Sequence, residues 1–587
     1  MPTINHLLQR AVQLHMSGNP SSALSEYRRI LAKAPQHIDA LHLSGVAEFQ
    51  LGNLDDAEFL IRAAIAINPT LPPFHNNLGN VLSAKGQVAE ALASYRRSTE
   101  IDQNFADGWN NLGNTASRLN DHVLAAECFR RLVDISQGRD GQALGLLLLA
   151  QAAMCDWDAV AKTKDQITRH DTAWVRPVPA FTVLSQEFTA LQQRNIADGI
   201  AHVIHAEAVK ASGGFRYTHP PQGTRPERLR IGYIGDDFQD HPVGYLFVGM
   251  AEAHDKSRFE TFAFSYGPPS DSSTRTRIAS AMDHFIDIAN QDWRSSAETI
   301  FQNKIDILID LKGHTGTARG HIFALRPAPI QVAWLGHPGT FGGPDMDYII
   351  ADPYVIPVGS EAFYSETPIR LPHCYQPNDP KRHRASTPVA KSAVGLPEAF
   401  VFGALANSFK ITEHAFRVWM DILRACPGSV LWLLDHHATA TANLRTAAKQ
   451  RGIDPERLIF APRVPQNEHL ERLSAMDLAL DTFPYGGHTT TSDLLWNGVP
   501  VIALIGETFA SRVAGSLLAN IGAPELATES WDEYRNLACE LFKASDTLAG
   551  LRQRVSDGRT HQPLFDTTTF AKEFEAALDQ LWAARNA

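Results

Sequence analysis

A 34-residue period governs the first quarter of the chain. Gly45, Gly79 and Gly113 are spaced 34 apart, as are Ala23, Ala57, Ala91 and Ala125, and Gly18, Gly52 and Gly86. Pro35 and Pro69 close successive units, and Asn-Asn-Leu-Gly occurs at Asn76–Gly79 and again at Asn110–Gly113. Within a unit, apolar residues such as Leu41, Val46, Phe49, Leu60 and Ile65 recur at helical spacing. One helical hairpin cannot bury such a face alone, so neighbouring hairpins must stack. Residues 1–140 are therefore expected to form an all-α array of four hairpins, the first and last irregular as terminal units are.

This period and its small-residue pattern resemble the tetratricopeptide repeat, whose stacked units form a superhelix with a concave peptide-binding surface. Asn76, Asn77, Asn110 and Asn111 are the candidate peptide contacts, because a carboxamide both donates and accepts hydrogen bonds. The alternative is that one Asn of each pair makes only a bond within the array.

The 587 residues carry 53 basic and 64 acidic side chains, a formal net charge of -11. No basic surface dominates, so nucleic acid is not an expected partner. The apolar content, 44%, is too high for a disordered chain. Five cysteines stand without a CxxC motif, which points to free thiols in a reducing compartment. Met1–Gln13 lacks a basic start and long apolar core, and the apolar run Leu144–Ala150 falls far short of the ~20 residues of a membrane span. A cytoplasmic protein with no membrane span is expected.

Residues 141–226 read as a helical linker region that ends in the Gly-, Pro- and Thr-rich stretch Ser212–Glu227. Short β-rich runs then alternate with helices. Strands are predicted at Leu229–Ile234, Phe259–Ser265, Ile305–Leu311 and Ile330–Leu335, with a helix at Ile278–Phe285. A second series follows at Phe400–Ala404, Ser429–Leu434, Leu458–Phe460, Leu478–Asp481 and Val499–Leu504. The pattern predicts two doubly wound parallel sheets in domains 227–390 and 391–587, with ligands at the carboxyl ends of the strands, in the cleft between them. Ile231–Asp236 lacks the third glycine of a dinucleotide fingerprint and no P-loop occurs, which removes the usual support for an oxidoreductase or an NTPase.

The most informative stretch is Asp481–Gly498. An apolar strand runs into Pro484-Tyr-Gly-Gly487, then His488, Thr489, Thr490 and a helix containing Asp493. Unpaired amides and hydroxyls at a helix N-terminus beside a glycine loop make a phosphate site, and Asp493 is placed to accept from ribose hydroxyls. Ordinary N-capping by Thr489 or Thr490 is the competing reading, but it does not account for the glycines and the histidine.

With these residues in view the chain resembles the O-linked N-acetylglucosamine transferase family, a repeat array fused to a two-domain GT-B glycosyltransferase. Four segments carry the likeness: Asp237–Pro242, Leu325–Thr340, Gly487–Thr490 and Gly506–Val513. The resemblance implies inverting transfer of N-acetylglucosamine from UDP-GlcNAc, the donor substrate, to Ser or Thr hydroxyls of proteins, without a cofactor or a metal. It assigns Lys410 to the leaving diphosphate with Asn407 nearby, His488, Thr489 and Thr490 to the phosphates, Asp493 to the ribose, and His469 and Arg472 to the uracil side. It assigns His241 to the sugar, with Leu335 and Gly336 as backbone lining the sugar pocket. The proton of the acceptor hydroxyl goes either to His241 or to a donor phosphate oxygen, directly or through water. Three positions depart from the animal enzymes: Gln466 replaces a lysine, Pro177-Val-Pro-Ala180 replaces a His-Pro-His-His stretch, and Tyr485 replaces a smaller residue.

Several other signals call for a structural reading. Asp345-Met-Asp347 has the spacing of a metal-binding DxD but precedes Tyr348-Ile-Ile rather than ending a strand. Asp435-His436-His437 reads as a polar turn, His314 as a residue that could line the cleft, and Arg512 as a partner for Glu507 or a cleft residue. The competing functions are a relative that uses GDP-fucose and a scaffold acting through its repeats alone.

Overall fold

The computed structural model describes residues 3–170, 174–219, 225–384 and 387–586. It divides into two compact units, Met1–Ala150 with Arg169–Arg176, and Gln151–Thr168 with Pro177–Ala587.

The first unit is the expected repeat array: Ile4–Met16 pairs with Pro20–Leu31, Ile38–Gln50 with Leu54–Ile67, Pro72–Ala84 with Val88–Ile101, and Ala106–Arg118 with His122–Ile135. Two glycine series explain its period. A Cβ on Gly45, Gly79 or Gly113 would lie 2.6, 2.5 or 2.8 Å from Ile61, Tyr95 or Phe129 on the facing helix, so only glycine allows the hairpin to close. Gly18, Gly52 and Gly86 end the first helix of the first three hairpins at φ of +79°, +83° and +77°, where L side chains are disfavoured. At the fourth position of that series stands Asn120, φ 58°, the residue that tolerates this region best after glycine.

The second unit holds two parallel sheets. The first contains β1 (Leu229–Gly235), β2 (Phe259–Ser265), β3 (His284–Asp287), β4 (Ile307–Asp310), β5 (Ile330–Ala333), β6 (Tyr348–Ala351) and β7 (Thr367–Arg370), in the order β3-β2-β1-β4-β5-β6-β7. The second contains β8 (Val401–Ala404), β9 (Val430–Leu434), β10 (Leu458–Ala461), β11 (Leu478–Leu480), β12 (Val501–Leu504) and β13 (Ala527–Thr528), in the order β10-β9-β8-β11-β12-β13. Every pairing is parallel, so both faces of each sheet need helical cover, and the central strands are buried almost throughout, Arg230 in β1 being the one residue of β1, β4, β8 and β11 that is not. This is the predicted GT-B architecture of two doubly wound lobes.

Three expectations change. The predicted helix Ile278–Phe285 ends early, because Ser273–Ala281 is helical and His284–Asp287 pairs with β2 as an edge strand. The span 141–226 is not a linker throughout. Trp157–Thr168 and Ala190–Ser212 belong to the α/β unit, where Trp157 Nε1 donates to the Ile411 carbonyl at 2.9 Å and Ser408 Oγ to the Ala153 carbonyl at 2.7 Å. Nor does the span 391–587 stay with the second sheet. The helix Thr567–Asn586 crosses back to the first, setting Phe574 4.5 Å from the Trp334 ring and Glu575 2.9 Å from His254 Nδ1.

Candidate active site

Strand order locates the site before any side chain is considered. In each sheet the chain winds outward from two adjacent central strands, β1 and β4 in one lobe, β8 and β11 in the other. A crevice opens outside the carboxyl ends of such a pair. The segments leaving these four strands carry Asp236 to His241, Lys312, Asn407 to Lys410, and Asp481 to Thr490.

In the second lobe Lys410 ends a 3₁₀ turn, Ser408–Lys410, whose last amide donates to the Asn407 carbonyl at 2.9 Å. Its Nζ donates to the Gly486 carbonyl at 3.1 Å and sits 3.5 Å from the centre of the Tyr485 ring. Burial pushes the ammonium down to about 8, with Asp481 pulling the other way. Asp481 itself is pushed up to about 6 by burial, and its Oδ1 accepts from the amides of Gly487 at 2.7 Å and Thr482 at 2.9 Å, which folds the glycine loop back onto the end of β11. A Cβ on Gly487 would lie 2.3 Å from Thr491 Oγ1, so the loop needs glycine to reach this helix. The helix Thr489–Trp496 follows. Its N-cap is His488, with no side-chain cap bond, which corrects the reading of Thr489 or Thr490 as caps: both are helical residues of the uncapped first turn. His488 is held neutral by burial, its pKa lowered to about 3, with Nε2 3.3 Å from the Ala510 carbonyl.

Asp493, the fifth residue of that helix, is buried and accepts from Arg382 Nη1 at 2.6 Å. Burial raises its pKa to about 6 against the opposing pull of Arg382. Arg382 also donates to Asn378 Oδ1 at 2.6 Å. Sequence reasoning missed Arg382. Its only signal was the basic run Lys381-Arg-His-Arg384. His469 and Arg472, one helical turn apart, touch each other, His469 Nδ1 lying 3.0 Å from Arg472 Nη2, and burial lowers His469 to about 4.

In the first lobe His241 caps the helix Pro242–Ala253, its Nδ1 accepting from the Val243 amide at 3.3 Å. Burial and then Lys312 lower its pKa to about 4. Leu335 takes φ 75° without being glycine, and a Cβ on Gly336 would stand 2.0 Å from the Leu311 carbonyl, so this turn presses against the exit of β4. Between the lobes lies a cavity of about 460 Å³, lined by Asp240, Tyr245 and Arg277 on one side and Gln466, Asn467 and Asp493 on the other.

The remaining signals resolve structurally. Asp345 is buried against His205 and Arg216, and Asp347 accepts from Arg326 at 2.6 Å, so neither faces a ligand. Among the described residues no group of three or more His, Cys, Asp or Glu is arranged to hold a metal. His437 caps a helix through Nδ1, and Asp435 accepts from Thr441. His314 stacks on Phe341 rather than on the cavity wall. Arg512 donates to the Tyr354 carbonyl at 3.3 Å, not to Glu507, whose Oε1 accepts from the Ala190 amide.

In the repeat array Asn76 is buried, and its Oδ1 accepts from Asn111 Nδ2 at 2.9 Å across neighbouring hairpins. Asn77 Nδ2 lies 2.9 Å from His42 Nε2, again one repeat away. Asn110 reaches Asn111 Oδ1 only at 3.5 Å. The asparagines thus form a ladder along the array, in which Asn76 is structural.

The model of glycosyl transferase family 41 matches residues 160–386 and 383–574, and tetratricopeptide-repeat models match residues 14–78, 79–119 and 106–138. The chain belongs to glycosyl transferase family 41. A protein of Arabidopsis thaliana named probable UDP-N-acetylglucosamine--peptide N-acetylglucosaminyltransferase SEC is 36% identical over 381 residues, covering 64% of this chain and 38% of that protein. The UDP-N-acetylglucosamine--peptide N-acetylglucosaminyltransferase of Caenorhabditis elegans is 28% identical over 497 residues, covering 65% and 42%. The chain thus spans about two fifths of the length of these family 41 relatives. A solved structure of a lysine-to-methionine mutant of the Thermobaculum terrenum O-GlcNAc transferase matches with a TM-score of 0.65 and 28% identity, covering 100% of this chain and 99% of that one.

Proposed function

We propose that the chain is an inverting glycosyltransferase that moves N-acetylglucosamine from UDP-GlcNAc to Ser or Thr hydroxyls of proteins. One observation carries this reading. The half-buried ammonium of Lys410 lies on a glycine loop whose next residues are the uncapped first turn of a helix. Breaking a sugar–diphosphate bond builds negative charge on the departing phosphates, and a fixed cation with unpaired amides is preorganised to stabilise it. Asn407, His488, Thr489 and Thr490 complete this side, Asp493 receives the ribose, and His469 and Arg472 the base. His241, Leu335 and Gly336 face the sugar from the other lobe. The names of the relatives support the donor and the acceptor class. Acceptor proteins enter through the cleft and the repeat groove, where Asn77, Asn110 and Asn111 are the proposed peptide contacts. The free thiols fit the cytoplasm.

The test is a thermal-shift panel of UDP, GDP, UDP-GlcNAc and GDP-fucose. At 100 times Kd a true ligand adds ~2.7 kcal/mol of stability. UDP and UDP-GlcNAc are expected to shift the transition. A response to the guanine nucleotides alone would reassign the donor, and no response to any of the four would leave only a scaffold.

Two further results are expected. Lys410 needs its charge and loses it above pH 8, so kcat/KM falls as pH rises through about 8. A profile flat through pH about 9 would remove the ammonium from the rate-limiting chemistry. Transfer in excess EDTA proceeds at close to the untreated rate, since a divalent cation wants several converging oxygen ligands whereas Lys410 and helix amides already oppose the phosphate charge. Loss of activity restored by Mn²⁺ would overturn this.

A further inference from the structure

The end of β1 and the end of β4 bring three carboxylates and one ammonium together beside His241. Lys312 is buried, its Nζ 3.1 Å from both oxygens of Asp237 and 2.5 Å from Asp236. Asp310 holds the backbone beneath it, accepting from the amides of Lys312 at 3.0 Å and Gly313 at 2.9 Å. Asp236 takes a further bond from Thr317, and Tyr266, under the Arg319 guanidinium, closes the cluster from β2. Asp240, on the same loop, is turned away to the Thr274 hydroxyl.

His241 Nδ1 has two neighbours that make opposite demands. The Val243 amide at 3.3 Å can only donate, so it needs a lone pair on Nδ1. Asp237 Oδ1 at 3.4 Å can only accept while ionised, so it needs a proton there. One nitrogen satisfies one of them. The Asp237 oxygen nearest the ring is also one that Lys312 holds in a charge-assisted bond, which engages one of its lone pairs and offsets the charge that would draw a ring proton.

We propose that Lys312 is a positioning residue that fixes the His241 tautomer, leaving Nδ1 to the helix amide and the proton on Nε2. His241 then presents an N–H donor to the cleft, able to hold a sugar or phosphate oxygen. That last role rests on the glycosyltransferase reading, but the tautomer does not.

The experiment uses the full chain labelled with ¹⁵N-histidine, with the His241 resonances assigned by their disappearance in His241→Gln. Long-range ¹H–¹⁵N correlations of the ligand-free protein at neutral pH are expected to show a pyridine-like Nδ1 and a pyrrole-like Nε2. In Lys312→Met, Asp237 is released to claim the proton and the two shifts exchange, whereas Lys312→Arg keeps the wild-type pattern. A pyrrole-like Nδ1 in the wild-type protein overturns the proposal, whether or not any variant folds. A folded Lys312→Met variant with unchanged shifts overturns the role of Lys312. Neither outcome depends on nucleotide binding or turnover, so a failure of the donor panel is read separately.

Discussion

Lys410→Ala is expected to lower kcat by roughly 10²–10³-fold, the usual loss when one preorganised donor to developing negative charge is removed. The ammonium is costly to keep where it is: burial depresses its pKa to about 8, and its nearest partners are a backbone carbonyl and an aromatic face. A group placed so is poorly satisfied until an anion arrives. The fold should survive the substitution, since the 3₁₀ turn is held by Trp157 and Ser408 rather than by the lysine side chain. Donor affinity should fall less than kcat if the contact strengthens as the bond breaks. Turnover within a few-fold of wild type would take Lys410 out of the mechanism.

Arg382→Met should destabilise the second unit by about 3 kcal/mol, the lower end of the cost of leaving a buried charge unpaired. Both side chains of the Arg382–Asp493 pair are less than a tenth exposed, 9% and 8%. Asp493 already sits near 6 with its partner present, so without it the carboxyl takes up a proton near neutrality, which limits the loss. The double variant Arg382→Met with Asp493→Asn should recover part of the stability, because no charge is then stranded. Urea unfolding of the three proteins measures this. A single-variant loss of about 0.5 kcal/mol or less would mean that the pair behaves like an exposed one.

The repeat array was legible because its signal is written several times. Glycines that close a hairpin and glycines that end a helix recur at fixed spacing, and each repetition checks the last. The inner strands were legible for a different reason: buried on both faces, Leu229–Gly235 and Phe259–Ser265 are mostly apolar, with their charged residues, Arg230 and Glu260, confined to the second position. The edges were not. His284–Asp287 carries a pattern neither apolar nor alternating, and Thr367–Arg370 contains a proline, so neither looks like a strand until β2 and β6 offer a partner. At the site, residues contiguous with a motif were visible, such as His488 to Thr490. Arg382 and Lys312 were not, because their importance lies in contacts with Asp493 and Asp237 across 111 and 75 positions of sequence. Trp157 was hidden likewise, in a span read as a linker.

The helix Thr567–Asn586 has a consequence for how this protein is made. Trp334 and Phe574 lie in contact but are separated by 240 positions, 334 to 574, with the whole second lobe encoded between them. At ~5–20 residues per second a ribosome needs on the order of ten to fifty seconds to deliver the second ring after the first. Throughout that interval the face of the first sheet around Trp334 stands uncovered, while the second lobe can already fold behind it. The nascent chain therefore carries an open apolar patch for most of the synthesis of its own second half, which is the stretch in which a holding chaperone would serve it best.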